Sequence, residues 1–343
     1  MFKNHNFRAA VAHIAPVYLD PMASAEKAVS TIAEAAGNGA KLVAFSEGYL
    51  PGFPVWAAIH SPVTSHEFFT QYVEASVFAN GPEVAMIRKA AARHGLIVSL
   101  GISERNPNSV GGLWNSNLLI DENGRVLNHH RKLVPTFYEK LTWDQGDGAG
   151  LKVSDTSLGR IGNLICGENT NPLSRYSLMA QAEQVHISSY PPIWPTRPPG
   201  ENANFDNKAA NLIRAAGHSF EAKCFGVVVA GCFDARATEM AAGGDSALMQ
   251  MLDECPRAPS FFVDPTGAQI GDNLIEEDIG YADIDLAKCL EPKRFHDVAA
   301  GYNRFDIYDL KVNRRRAVPI TFETEVTSSD VSGNEVDEEE AMQ

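Results

Sequence analysis

Three places in the chain set a reactive side chain at the end of an apolar run. In KLVAF-SEGYLPGFP, Glu47 follows a run dense enough for a strand buried on both faces. A carboxylate at such a point is partly desolvated, which raises its pKa toward that of a useful general base. In HHRKLVPT, the polar residues His129, His130, Arg131 and Lys132 close a second run. Turned inward, Lys132 offers a fixed positive charge; turned outward, it belongs to a solvated basic cluster. In RIGNLI-CGENTNP, Cys166 stands between a strand and a helix start. Helix-end amides and the macrodipole favour a thiolate there, and Gly167 permits a sharp turn whose amide can face an anion. The plainer readings are a loop carboxylate in water for Glu47 and a buried core thiol for Cys166. Cys224, Cys232, Cys255 and Cys289 lack such a context and read as core.

Other chemistries find little support. The glycines form neither GxGxxG nor a phosphate loop, and no histidine has a context that marks it as a cysteine's partner. His129, His130 and His186 do not match metal-ligand spacing, so no metal and no cofactor is expected. The five cysteines are odd in number, widely spaced and without CxxC, which argues against a disulfide framework and for a reducing, cytoplasmic setting. The N-terminus shows no signal-peptide pattern, and no run of about 18 uncharged apolar residues exists to span a membrane. The formal charge of −14 argues against a nucleic-acid face or a basic membrane patch. Eight of the acids fall in residues 321–343, which hold no Lys or Arg, so the remainder carries −6. That segment reads as a disordered acidic tail behind one domain over residues 1–320.

The elements that must position these residues are legible from periodicity. Strands are expected over 8–15, 41–45, 96–104, 116–120, 125–130, 160–166, 185–189, 225–233, 259–264, 269–271 and 280–285. Helices are expected over 24–36 with Ser24 as N-cap, over 83–94 between Pro82 and Gly95, over 172–184 and over 203–224. The turn Asp121-Glu122-Asn123-Gly124 favours a tight hairpin. Interleaved strands and helices with hairpins in the middle suit a layered α/β domain with mixed sheets, and the ends of such strands are where ligands bind.

Taken together, Glu47, Lys132 and Cys166 form an ordered Glu–Lys–Cys set that resembles the nitrilase superfamily. FSEGYLPGFP, HRKLVPT, CGENTNPL and the following RYSLMAQAEQVH are similar to the motif blocks of its nitrilase branch, and the likeness spans roughly residues 7–310. One departure is that many nitrilases have Cys-Trp-Glu where this chain has Cys166-Gly167-Glu168, which puts the shape beside the nucleophile in question. The resemblance implies an αββα sandwich of two mixed sheets flanked by helices. It also implies a second glutamate, matched by Glu139, and homo-dimers that often extend into spirals, whose assembly the acidic tail would modulate by self-repulsion.

The chemistry so implied is nitrile hydrolysis. Cys166 attacks the nitrile carbon and Glu47 takes the thiol proton; Lys132 and the Gly167 amide stabilise the charge that develops. A thioimidate and then a thioester lead to ammonia and the acid. Glu139 would hold Lys132, and Glu168 would satisfy backbone amides. Tyr49, Phe53, Pro54, Trp56, Tyr190 and Trp194 are candidate walls for an apolar organic nitrile. Alternatives are cyanide or nitrile hydratase chemistry giving the amide, an amidase or carbamoylase with the same triad, and a catalytically silent module.

Overall fold

The structure is a computed structural model, and it describes residues 6–198 and 205–321. In chain order the strands are β1 (Asn6–His13), β2 (Ala40–Ala44), β3 (Ile97–Arg105), β4 (Leu113–Ile120), β5 (Val126–Arg131), β6 (Ser154–Thr156), β7 (Gly159–Ile165), β8 (Val185–Ser189), β9 (Phe225–Val229), β10 (Ser260–Val263), β11 (Gln269–Leu274) and β12 (Asp278–Asp285). They form two six-stranded sheets, ordered β12-β1-β2-β3-β4-β5 and β11-β10-β9-β8-β7-β6. Each sheet is mixed. β1, β2 and β3 run parallel, as do β7, β8 and β9, and the outer strands pair antiparallel.

The helices are α1 (Pro21–Gly37), α2 (Trp56–Ile59), α3 (His66–Ala75), α4 (Pro82–His94), α5 (Pro172–Met179), α6 (Asn207–Ala222), α7 (Ala235–Ala242), α8 (Ser246–Glu254) and α9 (Leu290–Lys293). Alternate residues of the parallel strands point to opposite faces, and both faces are covered. Ala9, Val11, Leu42 and Ala44 meet Ile161, Val185, Ile187 and Val227 of the other sheet. Ala10, Ala12, Val43 and Val98 instead meet Ala25, Ile32, Val84 and Ile87 of α1 and α4. Ala215 of α6 packs on Val228 and Ile165 of the second sheet. The result is the expected four-layer αββα sandwich, and two-sided burial explains why these strands read as unbroken apolar runs.

Several boundaries differ, each for a local reason. α1 starts at Pro21 because Asp20, not Ser24, caps it by accepting from the Ala23 N–H at 3.0 Å. The Ser24 hydroxyl is bonded to Val17 instead. α5 stops at Met179: Gln181 turns its amide back on the Ser177 carbonyl at 2.7 Å, and Ala182 has φ 58°. β9 ends at Val229 rather than 233, because the Ala230 N–H donates to Ser260 Oγ at 2.9 Å. The helices α2, α3, α7 and α8 were not expected; they wrap one aromatic cluster containing Phe53, Trp56, Tyr72, Trp143 and Trp194. The expected acidic tail lies, apart from Thr321, outside the described residues.

Candidate active site

Each reactive side chain is placed by a strand end. β2 stops at Ala44, and the Phe45 N–H still donates to Ser99 of β3 at 2.8 Å. The chain carrying Glu47 then lies flat across β3. Only glycine allows this at position 101, because a Cβ there would sit 2.1 Å from the Ser46 carbonyl oxygen. Lys132 follows β5 directly, its N–H donating to the Asn115 carbonyl at 2.7 Å. Glu139 lies in a 3-10 turn, Phe137–Leu141, closed by a reciprocal capping box with Thr136. β7 ends at Ile165, and Cys166 opens a second 3-10 turn, Cys166–Thr170, with φ 48°. A non-glycine residue in that left-handed region is held there by its surroundings, and such strain gathers at functional sites.

These four residues converge. Lys132 Nζ donates to Glu47 Oε1 at 2.7 Å and to Glu139 Oε2 at 2.5 Å. Asn115 Nδ2 donates to the same Glu47 oxygen at 2.7 Å, and the Thr136 N–H donates to Glu139 Oε2 at 2.8 Å. Glu47, Glu139 and Cys166 each bring a reactive atom to within 4.8 Å of the others. Burial is nearly complete: Lys132 and Glu47 are 1% exposed, Glu139 0% and Cys166 8%. The inward reading of Lys132 therefore holds over the solvated cluster. One oxygen of each carboxylate, Glu47 Oε2 and Glu139 Oε1, has no protein partner.

The charges follow from this geometry. Burial raises the Glu47 carboxyl to about 7, against the opposing pull of Lys132. Burial likewise raises Glu139. Burial alone would lower Lys132, but Glu139 and Glu47 outweigh it and hold the ammonium above its ordinary value. Burial, and then Glu47, push the Cys166 thiol well above its ordinary value. The expectation of a helix-stabilised thiolate is thereby corrected. The turn behind Cys166 is one short 3-10 segment, and the buried sulfur faces the Glu47 carboxylate. The thiol is held protonated, beside a Glu47 carboxyl raised to about 7.

Glu168 makes the backbone contacts expected of it. It accepts from the Ile165 N–H at 2.8 Å and the Leu133 N–H at 2.6 Å, and pairs with His130 Nε2 at 2.8 Å, tying the ends of β5 and β7 together. Gly167 faces Thr136, whose hydroxyl would lie 2.8 Å from a Cβ at that position. Of the aromatic candidates, Phe53 and Trp194 lie in the aromatic cluster with ring centroids 6.0 Å apart. Trp56 sits behind them, between Phe68 and Tyr72, and Pro54 is buried beside it. Tyr190 packs with Cys166 and Ile165. Tyr49 does not join this group. Its ring lies tilted against Phe45 and its hydroxyl donates to the Ser24 carbonyl, so it packs beneath α1.

Three residues of the site escaped the sequence reading. Asn115 orients the Glu47 carboxylate, yet a lone Asn in a strand carries no motif. Trp143 packs edge-on against Phe53 at 5.6 Å. Tyr138, next to Glu139, stacks on Trp194 at 4.5 Å with its hydroxyl buried and unpartnered. Adjacency to Glu139 was the available signal for Tyr138.

Comparison with known proteins follows the same lines. The family model described as carbon-nitrogen hydrolase matches residues 8–294. The chain is 33% identical over 319 residues to a nitrilase of Paraburkholderia phymatum, covering 91% of this chain and 88% of that protein. It is 33% identical over 308 residues to an arylacetonitrilase of Aspergillus kawachii, covering 89% and 91%. Among solved structures, Saccharomyces cerevisiae Nit3, a member of branch 10 of the nitrilase superfamily, superposes with a TM-score of 0.65 at 17% identity, covering 86% of this chain and 95% of that one.

Proposed function

Because the chain belongs to the carbon-nitrogen hydrolase family, we propose that its buried Glu47–Lys132–Cys166 cluster hydrolyses an organic nitrile to the carboxylic acid and ammonia. The observation that carries this reading is the single ammonium of Lys132 held between two carboxylates, with the Cys166 thiol within 4.8 Å of both. Glu47 takes the thiol proton as sulfur attacks the nitrile carbon. Lys132, and the Gly167 amide beside the nucleophile, stabilise the charge growing on nitrogen, which is then protonated to a thioimidate. Water, deprotonated by Glu47, adds to that carbon; the C–N bond breaks, ammonia leaves and a thioester remains. A second water releases the acid and returns the thiol. Glu139 holds Lys132 in place and keeps one oxygen free to orient water. Relatives named nitrilase and arylacetonitrilase favour a nitrile over an amide.

Phe53, Tyr138, Trp143 and Trp194 supply flat apolar walls that suit an aryl or arylaliphatic nitrile. The chain works as one catalytic domain, and five unpaired thiols suit a reducing cytoplasm. It assembles with copies of itself: Leu173 on α5 and Ile213 and Phe220 on α6 are exposed, and Arg175–Glu221 ties the two helices side by side. A panel of aliphatic, aryl and arylacetonitriles with the matching amides, read by ammonia release and product identity, tests the reading. Acid from nitriles supports it, whereas turnover of amides alone overturns it.

A further inference from the structure

Beneath the nucleophile lies a buried polar chain that the reaction does not use. Asn169 is the fourth residue of the turn that begins at Cys166. Its Nδ2 donates to the Cys166 carbonyl at 3.0 Å and to the Leu164 carbonyl at 3.3 Å. That leaves Oδ1 facing His186 Nε2 at 2.8 Å. The other ring nitrogen, Nδ1, meets Glu183 Oε1 at 2.8 Å. Both ring nitrogens of His186 are thus taken up, one by the Asn169 amide oxygen and one by the Glu183 carboxylate. The second oxygen of Glu183 accepts from His218 Nε2 at 2.7 Å, and the two imidazoles stack with centroids 3.7 Å apart. Burial, then the neighbouring His186, hold His218 down at about 4, so it donates as a neutral ring.

Glu183, His186 and His218 offer metal-type atoms within 4.8 Å of one another, but those atoms are spent on each other, and the cluster is closed on itself. Space for it is built into the sheet. A Cβ at Gly162 of β7, which pairs with His186 of β8, would lie 2.1 Å from Glu183 Oε1.

We propose that Asn169, His186 and Glu183 are positioning residues, which hold the Cys166 turn in its left-handed conformation through the carbonyl of the nucleophile itself. Cys166 at φ 48° stays there only if its surroundings over-determine it. The amide of Asn169 grips the carbonyls of Leu164 and Cys166, the His186 ring fixes which way that amide points, and Glu183 fixes the ring. Released, the turn relaxes toward an ordinary backbone and the sulfur moves away from Glu47 and Lys132. A displacement of about 1 Å costs on the order of 100-fold in rate.

The inference rests on Cys166 being the nucleophile, so its test reads the thiol directly as well as turnover. His186→Leu and Asn169→Ser are purified as full chains. Each is compared with wild type for kcat and KM on a hydrolysed nitrile, for the rate of Cys166 alkylation by iodoacetamide, and for thermal melting. The expected result is kcat at least 10-fold lower with KM within about 3-fold, and alkylation slowed in parallel, well below the melting temperature. His186→Gln, which keeps one donor toward Asn169, recovers part of both rates. If His186→Leu fails to fold, Asn169→Ser decides alone, because it removes only the amide between ring and nucleophile. Variants that melt lower but keep wild-type kcat and alkylation would reduce the network to fold stability and overturn the proposal. If wild type turns over no nitrile, the functional reading fails, while the alkylation comparison still decides the positioning role.

Discussion

Lys132 sits buried between Glu47 and Glu139. Removing one partner of a buried ion group leaves uncompensated charge and costs on the order of 3–5 kcal/mol. Lys132→Met leaves two carboxylates facing each other, which take up protons to relieve the repulsion. Its melting temperature should therefore fall most at pH 8 and least at pH 5, with kcat lower by about 100–1,000-fold, as for loss of one stabilising donor. An unchanged kcat would mean that the ammonium has no part in the reaction. Glu47 carries its own pH signature. Its folded value of about 7 lies above the ordinary 4.5. The base must be ionised to act, so kcat/KM should fall on the acid side with a midpoint near 7. Stability runs the other way. The contribution of a raised carboxyl is complete below 4.5 and is lost as pH rises through 7. Glu47→Gln titrates no proton, so its melting temperature should climb relative to wild type across that window while turnover is abolished. Melting curves that keep a constant offset from pH 4 to 8 would contradict the assigned burial.

At the scale of elements, Gly101 decides whether the loop that carries Glu47 can lie where it does. Gly101→Ala would place a methyl 2.1 Å from the Ser46 carbonyl and 2.8 Å from the Gly48 nitrogen, both backbone atoms. The segment must lift off β3 and carry Glu47 with it. Overpacking of this kind costs about 1–3 kcal/mol, and kcat should drop at least 10-fold, checked by urea unfolding and steady-state kinetics. Wild-type kinetics in Gly101→Ala would show that the loop has slack. The strands that lead to Glu47 and Cys166 were legible because burial on both faces writes apolar runs, whereas β5, which leads to Lys132, is partly exposed and was legible from the hairpin turn before it. Their reactive residues were legible because each run ends in a polar one. What periodicity does not carry is partnership. His186 in VHISS looks like any strand residue, and its pairing with Glu183 and Asn169 exists only after β7 and β8 align. The helices α2 and α3 were hidden for a related reason: Pro-rich and aromatic-rich sequence over 51–75 packs around Trp143 and Trp194, which are distant in the chain. The thiolate expectation for Cys166 failed because a strand-to-helix position signals a dipole but says nothing of how deeply the sulfur is buried.

For the whole molecule, the sandwich leaves Leu173 of α5 and Ile213 and Phe220 of α6 exposed, and Leu173 shares a groove with the exposed Tyr302, Ile307 and Tyr308 of the C-terminal coil. The self-assembly proposed above places a second copy on this apolar surface. Light scattering after size exclusion should give a mass of at least two chains for wild type. The double variant Leu173→Glu, Ile213→Glu should shift toward one chain without loss of the catalytic cluster, whose side chains are buried while these two are exposed. A monomeric wild type at micromolar concentration would refute the assembly.

The most direct test of the account is capture of the covalent intermediate. Enzyme mixed with a hydrolysed nitrile and quenched in acid during steady turnover should carry an adduct of acyl or imidoyl mass on the peptide that contains Cys166. The adduct should be absent in Cys166→Ala, and in Glu47→Gln it should form far more slowly. Turnover with no adduct on Cys166, or with an adduct on another residue, would contradict the assignment of the nucleophile and with it the roles given to Glu47, Lys132 and Glu139.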